Sequence, residues 1–86
     1  GVRIVETSPE KIVVEAEFPG SADTAELFVA GEGGYALGTP LRTEAEGKAR
    51  FTIALIDRPV SPPAEGGLPY TLVTPKGAVE GLLPYP

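Results

Sequence analysis

Residues 11–18 read KIVVEAEF, and this stretch decides the fold because its apolar residues recur at every second position. The residues on the apolar face are Ile12, Val14, Ala16 and Phe18. Glu15 and Glu17 fall on the opposite face, as in a half-buried β-strand. Residues 47–56, GKARFTIALI, repeat the pattern with Arg50 and Thr52 on the polar side. Both stretches therefore predict strands that bury one face.

Five further segments have the alternation or the β-branched and aromatic content of strands, and Gly or Pro turns separate them. These segments are residues 2–6, 25–30, 35–37, 69–74 and 78–83. We expect residues 2–6 to form an edge strand and residues 75–77, PKG, to form a hairpin turn. Residues 58–69 contain four prolines and two glycines, so they predict a surface loop.

Short strands, frequent turns and the lack of a helical stripe predict an all-β domain. Residues 1–86 are expected to form a single domain, an immunoglobulin-like antiparallel β-sandwich of about six to eight short strands. The predicted core residues are Ile12, Val14, Phe18, Leu27, Val29, Phe51, Ile53, Leu55 and Leu72.

The composition excludes several kinds of chemistry. The 86 residues include no Cys, His, Met, Trp, Asn or Gln, so thiol and imidazole nucleophiles and soft metal ligands are missing. We therefore predict a non-enzyme with no catalytic, cofactor-binding or metal-binding residues, which neither exchanges disulfides nor retains zinc, copper or haem. The lack of residues that fail chemically at high temperature also indicates a thermophilic source.

The charge and hydropathy of the chain indicate which classes of partner are not expected. Seven basic and twelve acidic residues give a net charge of −5, and the basic residues are scattered singly. Nucleic acid is therefore not an expected partner. No apolar run approaches the length of a membrane span, so this chain is not expected to insert directly into a membrane. Because the first residue is Gly1 rather than Met, we expect a mature form or a domain excised from a longer chain.

Two short patterns resemble catalytic or ligand-binding motifs, but each is better explained by its place in a strand or a turn. Glu15 and Glu17 have a spacing that could flank a glycosidic bond or hold a hard cation. A solvated strand face explains them better, because no sugar platform or third ligand accompanies them. Residues 31–34, GEGG, lack the Lys and Ser or Thr of a phosphate-binding loop, and Glu32 would repel phosphate.

Gly33, Gly34 and Tyr35 are the predicted partner contact. They lie in the loop of residues 31–40. This loop combines the backbone flexibility of its glycines with one aromatic side chain that offers a large contact area. The prediction requires an exposed Tyr35. The alternative is a disordered connector with Tyr35 folded onto the end of the sandwich.

Residues 13–55 read VVEAEFPGSADTAELFVAGEGGYALGTPLRTEAEGKARFTIAL, and after a proline-rich gap residues 68–86 read LPYTLVTPKGAVEGLLPYP. This succession resembles the periplasmic β-sandwich domains of DsbD-type thiol:disulfide interchange proteins. Leu27-Phe28 ends a strand, Gly33-Gly34-Tyr35 marks a loop, residues 50–55 form an alternating strand and residues 70–81 form a closing hairpin. The resemblance implies an immunoglobulin-like domain in the bacterial envelope, beside a membrane electron-transfer protein.

The chain departs from that family in one decisive respect. In redox-active members, a pair of cysteines near the closing hairpin carries electrons beneath a cap loop, and this chain has no cysteine. The hairpin of residues 74–81 can hold no disulfide, and residues 33–37 would be a relic of the cap. What the resemblance implies here is docking to a redox partner or a structural spacer role.

Three functional hypotheses follow. The first is a non-catalytic, extracytoplasmic module of the periplasm or cell exterior that binds or positions a protein partner, by resemblance in thiol–disulfide or cytochrome-maturation systems. The second is a carbohydrate-binding or fibronectin-like accessory module of a secreted hydrolase. The third is a fragment of an enzyme whose catalytic residues lie in another chain or domain.

Overall fold

The computed structural model describes the backbone of residues 1–86 and every side chain except those of Glu44 and Ala45. Within this description the chain forms eight β-strands and one short 3-10 helix, Ala22–Thr24. The strands are β1 Val2–Thr7, β2 Lys11–Ala16, β3 Glu26–Val29, β4 Ala36–Leu37, β5 Leu41–Ala45, β6 Lys48–Asp57, β7 Leu68–Thr74 and β8 Gly77–Leu83. They make two antiparallel sheets that pack as a sandwich, as the sequence predicts.

The first sheet is built on β6. It has the order β1-β2-β6, and both β4 and β5 pair along the remaining edge of β6. β2 matches β6 without interruption, with Val14 opposite Phe51 and Ile12 opposite Ile53. Opposite residues point to the same face of a sheet, so the two strands with the clearest alternation combine their apolar faces. The predicted edge strand at residues 2–6 is β1.

The second sheet has the order β3-β7-β8. Leu27 of β3 lies opposite Leu72 of β7, which in turn lies opposite Val79 of β8. The predicted hairpin of the last two strands is therefore present. Leu68 begins β7 and is fully buried, so the surface loop ends before the expected boundary at residue 69.

Strand β5 was not predicted from the sequence. Leu41, Arg42 and Thr43 are exposed, and the strand lies at an edge, where it pairs with the first half of β6. Glu46 and Gly47 join it to β6 with φ values of 55° and 75°. Positive φ at both turn residues matches the right-handed twist of a two-residue hairpin, and this turn fixes the register of β5.

The core lies between the sheets. Six predicted core residues are buried, namely Ile12, Val14, Leu27, Phe51, Ile53 and Leu72. The other three, Phe18, Val29 and Leu55, are half-buried and pack against this core.

We predict that Phe51→Ala lowers the free energy of unfolding by about 3–5 kcal/mol, because it leaves a cavity between β6 and the second sheet. Ile56→Ala on the same strand is the matched control, since Ile56 is exposed, and it should change stability by less than about 0.5 kcal/mol. Denaturant unfolding of both variants measures the difference. Equal losses in the two variants would contradict this account of the core.

Candidate interaction surfaces

The segment predicted to touch a partner is the connection between β3 and β4. Gly33 and Gly34 have φ values of 67° and 94°, in the left-handed region that favours glycine. The Tyr35 N–H closes this turn by donating to the Glu32 carbonyl oxygen at 3.2 Å. Gly34 is exposed and Gly33 is half-buried.

Tyr35 itself is buried, with 6% of its surface exposed. Its ring stacks on Tyr85, with centroids 5.4 Å apart and planes 9° from parallel. Its hydroxyl donates to the Pro86 carbonyl oxygen at 2.8 Å. The expectation of an exposed Tyr35 is therefore wrong, and the alternative in which it folds onto the end of the sandwich describes the structure. The burial has a physical reason, because Tyr85 offers its ring face and Pro86 satisfies the hydroxyl.

The two glycines allow this packing. A Cβ atom on Gly33 would lie 2.8 Å from the Tyr85 hydroxyl and 2.9 Å from its ring, and one on Gly34 would lie 3.0 Å from Pro59. Glycine at position 33 thus lets the loop approach Tyr85 near the chain end closely, and glycine at position 34 lets it approach Pro59. The structure gives Gly33, Gly34 and Tyr35 a structural role, and leaves only Gly34 of the three fully open to a partner.

A second cluster surrounds Glu15 on the outer face of the first sheet. Arg50 Nε donates to Glu15 Oε2 at 2.9 Å, and Arg3 Nη2 donates to Glu15 Oε1 at 3.2 Å. Lys48 Nζ lies 3.5 Å from Oε1. These three long side chains cover the carboxylate so completely that Glu15 is only 2% exposed.

This arrangement corrects the sequence expectation of a solvated carboxylate pair. Glu17 is exposed and lies beyond the end of β2, where its backbone exchanges hydrogen bonds with Gly1. The hydrogen bond from Arg50 holds the pKa of Glu15 below its usual range; burial opposes the shift and Lys48 supports it. Glu15 is therefore a paired structural anion and not half of an acid–base pair.

The outer face of the second sheet carries two large exposed apolar side chains. Phe28 is 57% exposed, and Leu82 is 60% exposed. Phe28 lies in register with Thr71, which lies opposite Glu80, so one row crosses all three strands. Pro69 lies opposite Leu82 in the next row. Together Phe28, Pro69, Thr71, Glu80 and Leu82 line a shallow groove, here called the outer groove.

The sequence contained a signal for this surface. Successive side chains of a strand point to opposite faces of the sheet. The alternation that directs Leu27 and Val29 inward therefore directs Phe28 outward. The three tyrosines offer less surface, because Tyr35 is buried and Tyr70 and Tyr85 are half-buried.

Other kinds of site find no support in the described residues. They include no group of three or more acidic side chains placed to hold a metal ion. No helix in this part of the chain has the length and apolar character needed to cross a bilayer. No family model matches the sequence, and neither the curated proteins nor the solved structures contain a significant match.

We predict that Tyr35→Ala lowers the free energy of unfolding by about 3 kcal/mol, because it removes a buried ring and the stacking of that ring on Tyr85. Tyr35→Phe keeps the ring and loses only the hydrogen bond to Pro86, so its cost should be about 1 kcal/mol. A double-mutant cycle with Tyr85→Ala, read by denaturant unfolding, should return a coupling of about 0.5–1.5 kcal/mol. Additive effects would mean that the two rings do not support each other.

We also predict that Glu15→Gln lowers the melting temperature near neutral pH, because three cations lose their shared counter-ion. A lowered folded-state pKa stabilises the fold above the unfolded-state value, and this stabilisation disappears as pH falls through the folded-state value. The gap in melting temperature between wild type and Glu15→Gln should therefore close in acid. Glu17→Gln is the exposed control, and its melting temperature near neutral pH should stay close to that of the wild type. A Glu15→Gln gap that persists in strong acid would contradict the ion-pair account.

Proposed function

We propose that this chain is a non-catalytic β-sandwich module that binds or positions a protein partner outside the cytoplasm. The observation that carries the proposal is the outer groove, where Phe28 and Leu82 stand exposed on a hydrogen-bonded three-stranded sheet. Large exposed apolar side chains on a rigid scaffold are typical of protein interaction sites.

We infer that the sandwich is of the immunoglobulin-like type. Constant-type immunoglobulin domains have strands A, B, E and D in one sheet and C, F and G in the other. The order β1-β2-β6 followed by β4 and β5, against β3-β7-β8, corresponds to that arrangement when β4 and β5 together take the place of strand D. Domains of this architecture serve widely as recognition modules, although architecture alone does not determine function.

The choice of partner follows from the resemblance to the periplasmic domains of DsbD-type proteins. We propose a location in the bacterial envelope and a partner from thiol–disulfide or cytochrome-maturation systems. The chain has no cysteine, so it carries no electrons in this proposal. In this proposal the chain provides a binding surface for the partner, or acts as a spacer that holds other proteins of the system at a fixed distance.

The accessory-module hypothesis receives less support from the aromatic residues. A sugar platform requires an open ring face, and Tyr35 presents its face to Tyr85. Phe28 is exposed, but its row continues with Thr71 and Glu80 and contains no second aromatic ring.

Site-specific photo-crosslinking in the source cells tests the proposal. A photoreactive amino acid at position 28 should give a discrete protein adduct, and mass spectrometry should identify a component of thiol–disulfide or haem-delivery chemistry. The same group at position 56 is the matched control, because Ile56 is equally apolar and exposed but lies on the other sheet. We expect no discrete adduct from position 56.

Two results would contradict the proposal. Equal labelling from positions 28 and 56 would remove the special role of the outer groove. A specific adduct with a polysaccharide hydrolase would support the accessory-module hypothesis instead.

A further inference from the structure

Edge strands expose unpaired backbone groups, and proteins normally protect them from pairing with other chains. Three of the edges in this sandwich carry such protection. β1 has an irregular register between Ile4 and Glu6, β3 is only four residues long, and the edge formed by β4 and β5 is interrupted at residues 38–40, which include Pro40.

The edge formed by β8 is different. β8 is seven residues long, and its register with β7 is unbroken from Leu83 opposite Leu68 to Gly77 opposite Thr74. It contains no proline and no lysine, and Glu80 is its single charged residue. In the described backbone β8 pairs with β7 alone.

The hydrogen-bond pattern shows which groups of β8 face the open side. The Ala30 N–H donates to the Pro69 carbonyl oxygen at 2.9 Å, so the backbone of Pro69 faces β3 and not β8. Bonding directions alternate along an antiparallel strand. Leu82, which lies opposite Pro69, therefore directs its N–H and carbonyl groups away from β7, and Glu80 and Ala78 do the same.

An apolar cleft lies beside this edge, on the inner side. It has a volume of about 300 Å³ and is lined by residues that include Val2, Phe18, Leu72 and Val79. Val79 belongs to the inward face of β8, yet it is 57% exposed because the two sheets do not close over it. A side chain that entered next to Val79 would complete the core at this margin.

Glu80 argues against a second copy of this chain as the occupant. In the antiparallel register that pairs the whole of β8 with itself, Glu80 would lie opposite Glu80 of the other copy. Like charges in directly opposed positions destabilise a sheet, whereas a basic residue opposite Glu80 would stabilise it. The net charge of −5 also favours a basic partner over a second copy.

We propose that the free edge of β8 binds an extended segment of a partner protein as an added β-strand. In this arrangement the segment hydrogen-bonds to Ala78, Glu80 and Leu82, places an apolar side chain in the cleft beside Val79, and sets a Lys or Arg next to Glu80. The inference rests on the proposed function and names the kind of partner segment that such a module would recognise.

Two synthetic peptides of alternating Val and Thr, as long as β8 and capped at both ends, test the edge directly. One has Lys at its centre and the other has Glu. Binding to the full chain is followed by NMR, through the amide signals of Ala78, Glu80 and Leu82. We expect the Lys peptide to shift these signals saturably and to bind about three- to tenfold more tightly than the Glu peptide.

Three variants sharpen the test. Glu80→Lys should reverse the preference, so that the Glu peptide binds more tightly than the Lys peptide. Glu26→Lys makes the same change of charge on β3, the opposite edge of the second sheet, and should leave the preference unchanged. Leu82→Pro removes an N–H that β7 does not use, so it should abolish binding, while Leu82→Ala should retain most of it. If Leu82→Pro fails to fold, the charge reversal at Glu80 still decides the question.

The inference is overturned if neither peptide binds saturably, or if Glu26→Lys changes the preference as much as Glu80→Lys does. It is also overturned if sedimentation shows a wild-type dimer that Leu82→Pro dissociates, because the occupant would then be a second copy. Ala78→Pro also removes an N–H of the free edge and lies outside the outer groove. If no peptide binds Ala78→Pro or the wild type while the partner adduct from position 28 persists, the proposed function stands and the added strand alone is removed.

Discussion

The rest of the structure depends on the pairing of β6 on both of its sides. β6 is ten residues long; β2 occupies one edge, and β4 and β5 share the other. Its inward residues Ala49, Phe51 and Ile53 are buried and meet the apolar face of β2. In a chain without disulfides, this shared apolar surface and its hydrogen-bond ladders hold the first sheet together and give the second sheet a face to pack on.

The ends of the sandwich are closed by other means. At one end Tyr35 stacks on Tyr85 and its hydroxyl binds the Pro86 carbonyl, so an internal loop and the last residues of the chain secure each other. At the open side of the sheets, Arg42 of β5 donates from Nη1 to the Ala25 carbonyl oxygen at 2.7 Å and connects the two layers. The apolar cleft lies at another margin, beside Val79.

Charged residues divide the surface into regions of different character. On the first sheet, Arg3, Lys48 and Arg50 neutralise and cover Glu15, which makes that face polar and internally paired. On the second sheet, the exposed Phe28 shares its row with Thr71 and Glu80, and the exposed Leu82 lies in the next row. The second face and the adjoining β8 edge combine exposed apolar side chains with backbone groups that β7 does not use.

The sequence by itself determined the all-β class, most of the strands and the centre of the core. Alternation is a local property, so the inward positions Ile12, Val14, Phe51 and Ile53 could be identified without knowing what they face. The tertiary structure decided the rest, because each remaining feature depends on residues far apart in the chain. Glu15 is buried only because Arg3 and Arg50 arrive from neighbouring strands, and Tyr35 is buried only because Tyr85 returns to it from the chain end. β5 is a strand because a tight turn lays a polar segment against β6, and the exposed edge of β8 exists because no other strand of the described chain is placed to cover it.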